Sequence, residues 1–222
     1  LAHPLIIISP GVDSELPLLR EAKEMGIKVI GEMELAFGFI DEPVISITGT
    51  NGKTTVTTLV GEIFRRAFGE VFVGGNIGDP LINYVLKGSK ARYIIIEVSS
   101  FQLDSIEAFR PQTSILLNIT EDHLDRYRSF AGYRDAKCRI FENQKEEDYA
   151  ILNENLPAID GIGAKKLFFS SKKEVQEGSF LNNEMMVVRF QGQEHRYERI
   201  LSPLVGIQYR KSPCSAPCGA YL

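Results

Sequence analysis

Apolar residues fall in short runs, and glycine, proline or polar residues follow nearly every run. Leu5-Ile6-Ile7-Ile8 is a β-branched run closed by Ser9-Pro10-Gly11, which reads as a buried strand and a turn. Ser14 is placed to cap a helix running to about Met25, where Gly26 stops it. Lys28-Val29-Ile30 reads as a second strand, and residues 32–41 as a short helix and linker. After Pro43 comes the run Val44-Ile45-Ser46-Ile47, then a helical repeat over 53–68 carried by Val56, Leu59, Val60, Ile63 and Phe64. Strands follow at 71–73, 92–97 and 113–118, separated by a helix ending near Leu86 and a shorter one. Continuous apolar strands alternating with helices predict an α/β fold, a mostly parallel sheet flanked by helices. A further helix is expected over 129–143. Beyond Glu146 the pattern weakens to strands at 149–152 and 166–169 and a hairpin, 185–190 with 194–200, around Gln191-Gly192-Gln193. Residues 208–222 show no periodicity.

The strand at 44–48 turns abruptly into Gly49-Thr50-Asn51-Gly52-Lys53-Thr54-Thr55. Glycines let the backbone approach an anion, and successive N–H groups with the next helix N-terminus then face its phosphates. Lys53 supplies a mobile cation for the outer phosphates, and the Thr54 hydroxyl suits a magnesium ion. The loop is shorter than the common P-loop, because Ile47 stands where that pattern places its first glycine. Asn76, Glu97 to Ser100 and Asn118 to His123 also follow directly on apolar strands, so they share one rim of the sheet, where such folds bind ligands. Ser9, Pro10 and Gly11 hold the corresponding place after the first strand.

Net charge is −4 over 222 residues, so no broad basic surface points to nucleic acid or to an anionic membrane. No apolar run is long enough to span a bilayer, and no secretory signal opens the chain. Cys138, Cys214 and Cys218 form neither a disulfide framework nor a zinc set with His3 or His195, which fits a reducing cytoplasm. Leu1 in place of Met suggests a start inside a longer protein.

Glu97 ends its strand as an oxygen ligand able to face Thr54 across a magnesium ion. Lys137 falls on the apolar face of the 129–143 helix with Tyr133 and Phe141. It reads either as a lysine whose amine snorkels to solvent or as a desolvated lysine able to take up carbon dioxide as a carbamate. Periodicity alone favours snorkelling.

The run Ile47 to Thr55 resembles the ATP loop of the Mur ligases. Gly74-Gly75-Asn76-Ile77-Gly78, Glu97-Val98-Ser99-Ser100-Phe101-Gln102-Leu103, Asn118-Ile119-Thr120-Glu121-Asp122-His123-Leu124-Asp125-Arg126-Tyr127 and Tyr133-Arg134-Asp135-Ala136-Lys137 extend the resemblance. Ser-Ser-Phe-Gln-Leu is most similar to the members that add D-glutamate. The resemblance implies a P-loop-like ATP-binding domain and a ligase of peptidoglycan precursor synthesis, joining D-glutamate to UDP-N-acetylmuramoyl-L-alanine through an acyl phosphate. It implies Gly49, Thr50, Asn51, Gly52, Lys53, Thr54 and Thr55 on ATP, with Lys53, His123 and Lys137 in catalysis. Thr54 and Glu97 would hold one Mg²⁺; His123 and a carbamylated Lys137 would serve a second, which reverses the snorkelling preference. Asn76 and Ser99 would touch the sugar nucleotide, and Ser9, Pro10 and Gly11 its uridine diphosphate.

Residues 1–41 are then expected to be the end of a uridine-nucleotide domain, 42–206 the central ATP-binding domain, and 207–222 an atypical tail. A D-glutamate-holding domain is missing from the sequence, so this chain is not expected to complete ligation alone. The competing readings are a non-catalytic nucleotide-binding module and a sister ligase, Mur or folylpolyglutamate synthase-like, with another acceptor.

Overall fold

The chain forms two compact units, residues 1–150 with 158–165, and residues 151–157 with 166–222. The structure is a computed structural model that describes residues 4–13, 16–121, 127, 129–183, 185–202 and 206–211, with side chains as far as Glu198.

In the first unit β1 (Leu5–Ile8) lies parallel to β2 (Lys28–Gly31), with Leu5 opposite Lys28 and Ile8 opposite Gly31. The connecting helix α1 (Pro17–Glu24) starts with proline, whose missing N–H costs nothing in a first turn. Leu16 is its N-cap and makes no side-chain cap bond; Ser14, the expected cap, lies outside the described residues. Helix α2 (Glu32–Phe37) follows and buries Met33, Glu34 and Ala36.

The expected alternation is present from β3 (Val44–Thr48) through α3 (Lys53–Phe68), β4 (Val71–Gly75), α4 (Leu81–Leu86), β5 (Tyr93–Glu97) and α5 (Ser100–Leu103) to β6 (Thr113–Leu116). These strands are parallel, in the order β4-β5-β3-β6. Val44, Ile47, Ile94, Ile95, Ile96 and Leu116 are fully buried, as strands covered on both faces require. The polar residue inside the β3 run is also accounted for. Ser46 Oγ lies 3.1 Å from Ser114 Oγ on β6, and Ser114 donates to the Ile140 carbonyl at 3.2 Å. Because β3 has β5 on one side and β6 on the other, the loop leaving β3 emerges between the ends of both neighbours. That is the crevice where ligands meet such sheets.

Helix α6 (Phe130–Cys138) is capped by Ser129, whose hydroxyl accepts from the Gly132 N–H. It is shorter than the sequence repeat suggests, because the chain tightens into a 3-10 turn at Arg139–Phe141. Lys137 is only 2% exposed, so the preference for a snorkelling amine is corrected. Neighbours on the sheet side enclose the whole side chain, which a helical repeat cannot report.

Strand β7 (Tyr149–Asn153) begins in the first unit and ends in the second. The second unit contains β8 (Lys165–Ser170) apart from its first residue, with β9 (Gly178–Asn182), β10 (Met185–Phe190), β11 (Gln193–Ser202) and β12 (Gly206–Lys211). β8 and β9 are parallel; β9 to β12 form an antiparallel meander. Val175, Phe180 and Val187, with Phe168 against them, form its small core. The expected hairpin turns at Gln191 and Gly192, both at positive φ (51° and 75°), the conformation that matches strand twist. β9 and β12 were not legible in the sequence pattern. Among the described residues no helix is long and apolar enough to cross a membrane.

Glu34 joins α2 to the segment before β6. Its buried carboxylate accepts from the N–H groups of Ala108 at 2.7 Å and Phe109 at 3.1 Å. Glu34→Ala is expected to cost about 1–3 kcal/mol, since the buried Phe109 N–H loses its acceptor. Glu34→Gln keeps one acceptor and should lose less. Urea midpoints of the two variants check the order, and equal stability to wild type would refute it.

Candidate phosphate and metal site

The loop after β3 depends on two glycines. A Cβ on Gly49 would lie 3.0 Å from the Leu117 side chain and 3.3 Å from the Asn118 backbone. Gly52 caps α3 with φ at 81°, a left-handed geometry that glycine adopts without strain. The cap makes no side-chain hydrogen bond, so the first N–H groups of this 16-residue helix are left to a ligand or water. Their orientation and the helix dipole favour an anion there.

The loop is pinned from the end of β6. The Asn118 carboxamide oxygen accepts from the N–H groups of Thr50 (3.1 Å) and Asn51 (2.8 Å), and its nitrogen donates to the Asn51 carbonyl at 2.9 Å. The Thr50 hydroxyl accepts from the Thr120 N–H at 3.0 Å and lies 3.2 Å from the Tyr133 hydroxyl on α6. The first half of the loop is therefore spent on internal bonds. Gly52, Lys53 and Thr54 remain as the half that opens the helix. Lys53 Nζ folds back onto the Thr50 carbonyl at 3.0 Å.

Glu97 ends β5 beside this helix start and is 2% exposed. One carboxylate oxygen accepts from the Thr54 hydroxyl at 2.8 Å, the other from the Asn76 amide at 3.0 Å. Both donors are neutral, and among the described residues no cation pairs with Glu97. A buried carboxylate without a counter-charge is costly. Its oxygens, with the Thr54 hydroxyl, are the donor set a hard divalent cation takes, so these residues fit magnesium.

Lys137 reaches the same loop from below. Its ammonium donates to the Gly49 carbonyl at 2.9 Å and sits 4.7 Å from the Tyr133 ring centroid. Burial pushes the adjacent Cys138 thiol up to about 11, so it stays neutral and is no thiolate ligand at neutral pH.

Of the residues expected from sequence, Gly49 to Thr55, Asn76, Glu97 and Lys137 converge at this edge. Ser99 is nearby in the chain, but its hydroxyl is engaged in a capping box with Gln102 at the start of α5. Ser9, Pro10 and Gly11 form the turn after β1, closed by the Val12 N–H on the Ser9 carbonyl at 2.9 Å, at the edge of the separate β1-β2 sheet. His123, with Asp122, Leu124, Asp125 and Arg126, lies outside the described residues. Asn118, Thr120 and Tyr133 carry the loop without having been given that role by sequence. Asn118 was legible only as a polar residue on the rim. A cavity of about 510 Å³ beside the start of β4, lined by Arg65, Phe72, Tyr84 and Lys87 among others, includes none of the expected residues.

The comparisons with known proteins agree with this geometry. The Mur ligase middle domain family matches residues 47–208. The UDP-N-acetylmuramoylalanine--D-glutamate ligase of Geotalea daltonii is 49% identical over 211 residues, which is 93% of this chain and 47% of that protein. The ligase of the same name from Geobacter metallireducens is 48% identical, over 93% of this chain and 46% of its own length. The chain thus spans about half the length of the curated relatives it matches. Among solved structures, the UDP-N-acetylmuramate:L-alanyl-gamma-D-glutamyl-meso-diaminopimelate ligase of Neisseria meningitides superposes with a TM-score of 0.56 at 16% identity, over 87% of this chain and 67% of the other. The MurF ligase of Thermotoga maritima, in complex with ADP, gives 0.52 at 14% identity, over 94% and 55%. At such identity the superpositions show a shared fold. On the extent of the family match and the similarity to these relatives, the chain belongs to the Mur ligase family.

Proposed function

We propose that this chain supplies the ATP- and metal-binding half of a cytoplasmic ligase that joins D-glutamate to UDP-N-acetylmuramoyl-L-alanine. The observation that carries the reading is the buried Glu97 carboxylate, held by Thr54 and Asn76 at the opening of the phosphate helix. The names of the relatives supply the substrates. In this reading residues 42–206 bind ATP, while residues 1–41 belong to the part that holds uridine diphosphate through Ser9, Pro10 and Gly11. The expected tail begins inside β12, which pairs with β11.

The reaction transfers the terminal phosphoryl group of ATP to the alanyl carboxylate, releasing ADP. The amine of D-glutamate then attacks the activated carbonyl, and phosphate leaves with the C–O bond. The difficulty is electrostatic, because a carboxylate must approach a triphosphate. Gly52, Lys53 and Thr54 N–H groups and the α3 dipole orient the phosphates, and Lys53 moves from the Thr50 carbonyl to the transferred group. Thr54 and Glu97 would hold one magnesium ion, and His123 and Lys137 would serve a second. Magnesium supplies charge neutralisation at the phosphate oxygens. Lys137, carbamylated by carbon dioxide, presents an anionic oxygen pair where the free amine presents a cation. Asn76 and Ser99 contact the sugar nucleotide, Asn76 exchanging its bond to Glu97 and Ser99 loosening its cap.

Titration calorimetry with ADP tests the metal reading. Wild type is expected to bind ADP at least about tenfold more tightly with Mg²⁺ than in EDTA, a difference of about 1.4 kcal/mol. Glu97→Gln should bind within about twofold in both conditions. Equal magnesium dependence in the variant would overturn the assignment. Asn118→Ala frees the Asn51 N–H and carbonyl, while the Thr50 N–H keeps the Asn118 backbone carbonyl at 3.0 Å, and should weaken Mg·ADP by roughly tenfold. Unchanged affinity would show that the clasp does not shape the site. For Lys137, ¹³C-bicarbonate should yield a carbamate carbon resonance that is absent from Lys137→Met; its absence from wild type removes that modification from the proposal.

A further inference from the structure

Arg139 uses its guanidinium on a single turn of backbone. Nη1 donates to the carbonyls of Leu103 (2.8 Å) and Asp104 (2.7 Å), and Nη2 donates to that of Ile106 (2.9 Å). Nε holds the Glu142 carboxylate at 2.7 Å, with Nη2 adding a longer bond at 3.3 Å. One helical turn on, the Asn143 amide donates to the Glu107 and Phe109 carbonyls at 2.9 and 3.1 Å. The N–H groups of Ala108 and Phe109 are taken by Glu34 from the other side. Residues 104–109 thus have no regular structure past α5, yet the side chains of Glu34, Arg139 and Asn143 hold five carbonyls and two N–H groups between Leu103 and Phe109. A segment tied at so many backbone groups offers α6 a fixed point of attachment.

Arg139 is the C-cap of α6, two residues past Lys137. The α-helix gives way there to a 3-10 turn, whose hydrogen bonds hold the chain less well. A flexible four-carbon side chain keeps its amine on one carbonyl only if its Cα is held.

We propose that Arg139 is a positioning residue for Lys137: by anchoring the end of α6 to the 103–106 carbonyls, it keeps the Lys137 amine on Gly49 of the phosphate loop. The consequence for ligation rests on the role given to Lys137 above, but the positioning itself does not. Lysine at 139 cannot replace the fork, because one ammonium donates from a single point and cannot span three carbonyls and a carboxylate.

Pulse labelling with an amine acylating reagent, in bicarbonate-free buffer and without nucleotide, reads the position of Lys137 directly. Peptide mass spectrometry compares Lys137 with the exposed Lys87 in the same sample. Arg139→Gln is expected to raise the Lys137 to Lys87 ratio by about fivefold or more through local opening, and Arg139→Lys by a smaller factor. Tyr84→Phe removes a 2.6 Å bond to Glu42 and the 2.9 Å bond that the Ala91 N–H donates to the hydroxyl, elsewhere in the same unit, and should change the ratio less than about twofold. An Arg139→Gln ratio within about twofold of wild type overturns the proposal, and so does an equal rise in Tyr84→Phe. If Arg139→Gln does not fold, the Arg139→Lys ratio decides by the same limit. Failure of ADP to bind would refute the ligase reading and leave this measurement unaffected.

Discussion

A buried negative charge at the end of β5 constrains the whole site. Glu97 has left water and received two neutral hydrogen bonds in return. Those bonds orient the carboxylate without supplying an opposite charge, and the proposed magnesium site rests on that feature. Thr54 can contribute only because α3 starts beside β5. That start is set in turn by Gly52 in a left-handed conformation. Strand order and glycine geometry together place Thr54 against Glu97, where β3 leaves the sheet between β5 and β6.

Around that charge the loop is built in two halves with different duties. The Thr50-Asn51 half is tied inward by Asn118, Thr120 and Tyr133, so its N–H groups are already spent. The half from Gly52 onward opens α3 and keeps its donors. Rigidity in one half is what lets the other be pre-oriented without a ligand, which is how an electrostatic site avoids reorganising during reaction. Lys137 underlies both, since its amine holds the carbonyl of Gly49 at the point where strand becomes loop.

The similarity to D-glutamate ligases is a similarity of sequence over 93% of this chain, whereas the solved structures share the fold at low identity. The fold explains where a nucleotide goes. The individual side chains at strand ends explain what chemistry is possible there, and fold alone would not.

The sequence by itself determined the alternation of strand and helix, the parallel sheet and the place of the glycine loop between β3 and α3. These follow from local periodicity and from glycines whose spacing is a local property. It also located Glu97 and Asn76 on the rim, because both directly follow apolar runs. Tertiary structure alone decided the fate of Lys137, the clasp of Asn118 and the anchoring by Arg139. Each of these joins residues more than thirty positions apart in the chain. Periodicity records which face of an element is apolar, but not what stands opposite that face, so a lysine on an apolar stripe reads as snorkelling until its amine is seen buried on the Gly49 carbonyl. In the second unit β8 was legible as an apolar run and β10 and β11 as a hairpin, whereas β9 and β12 were not, because the small core of Val175, Phe180 and Val187 is drawn from separate segments and leaves no repeat.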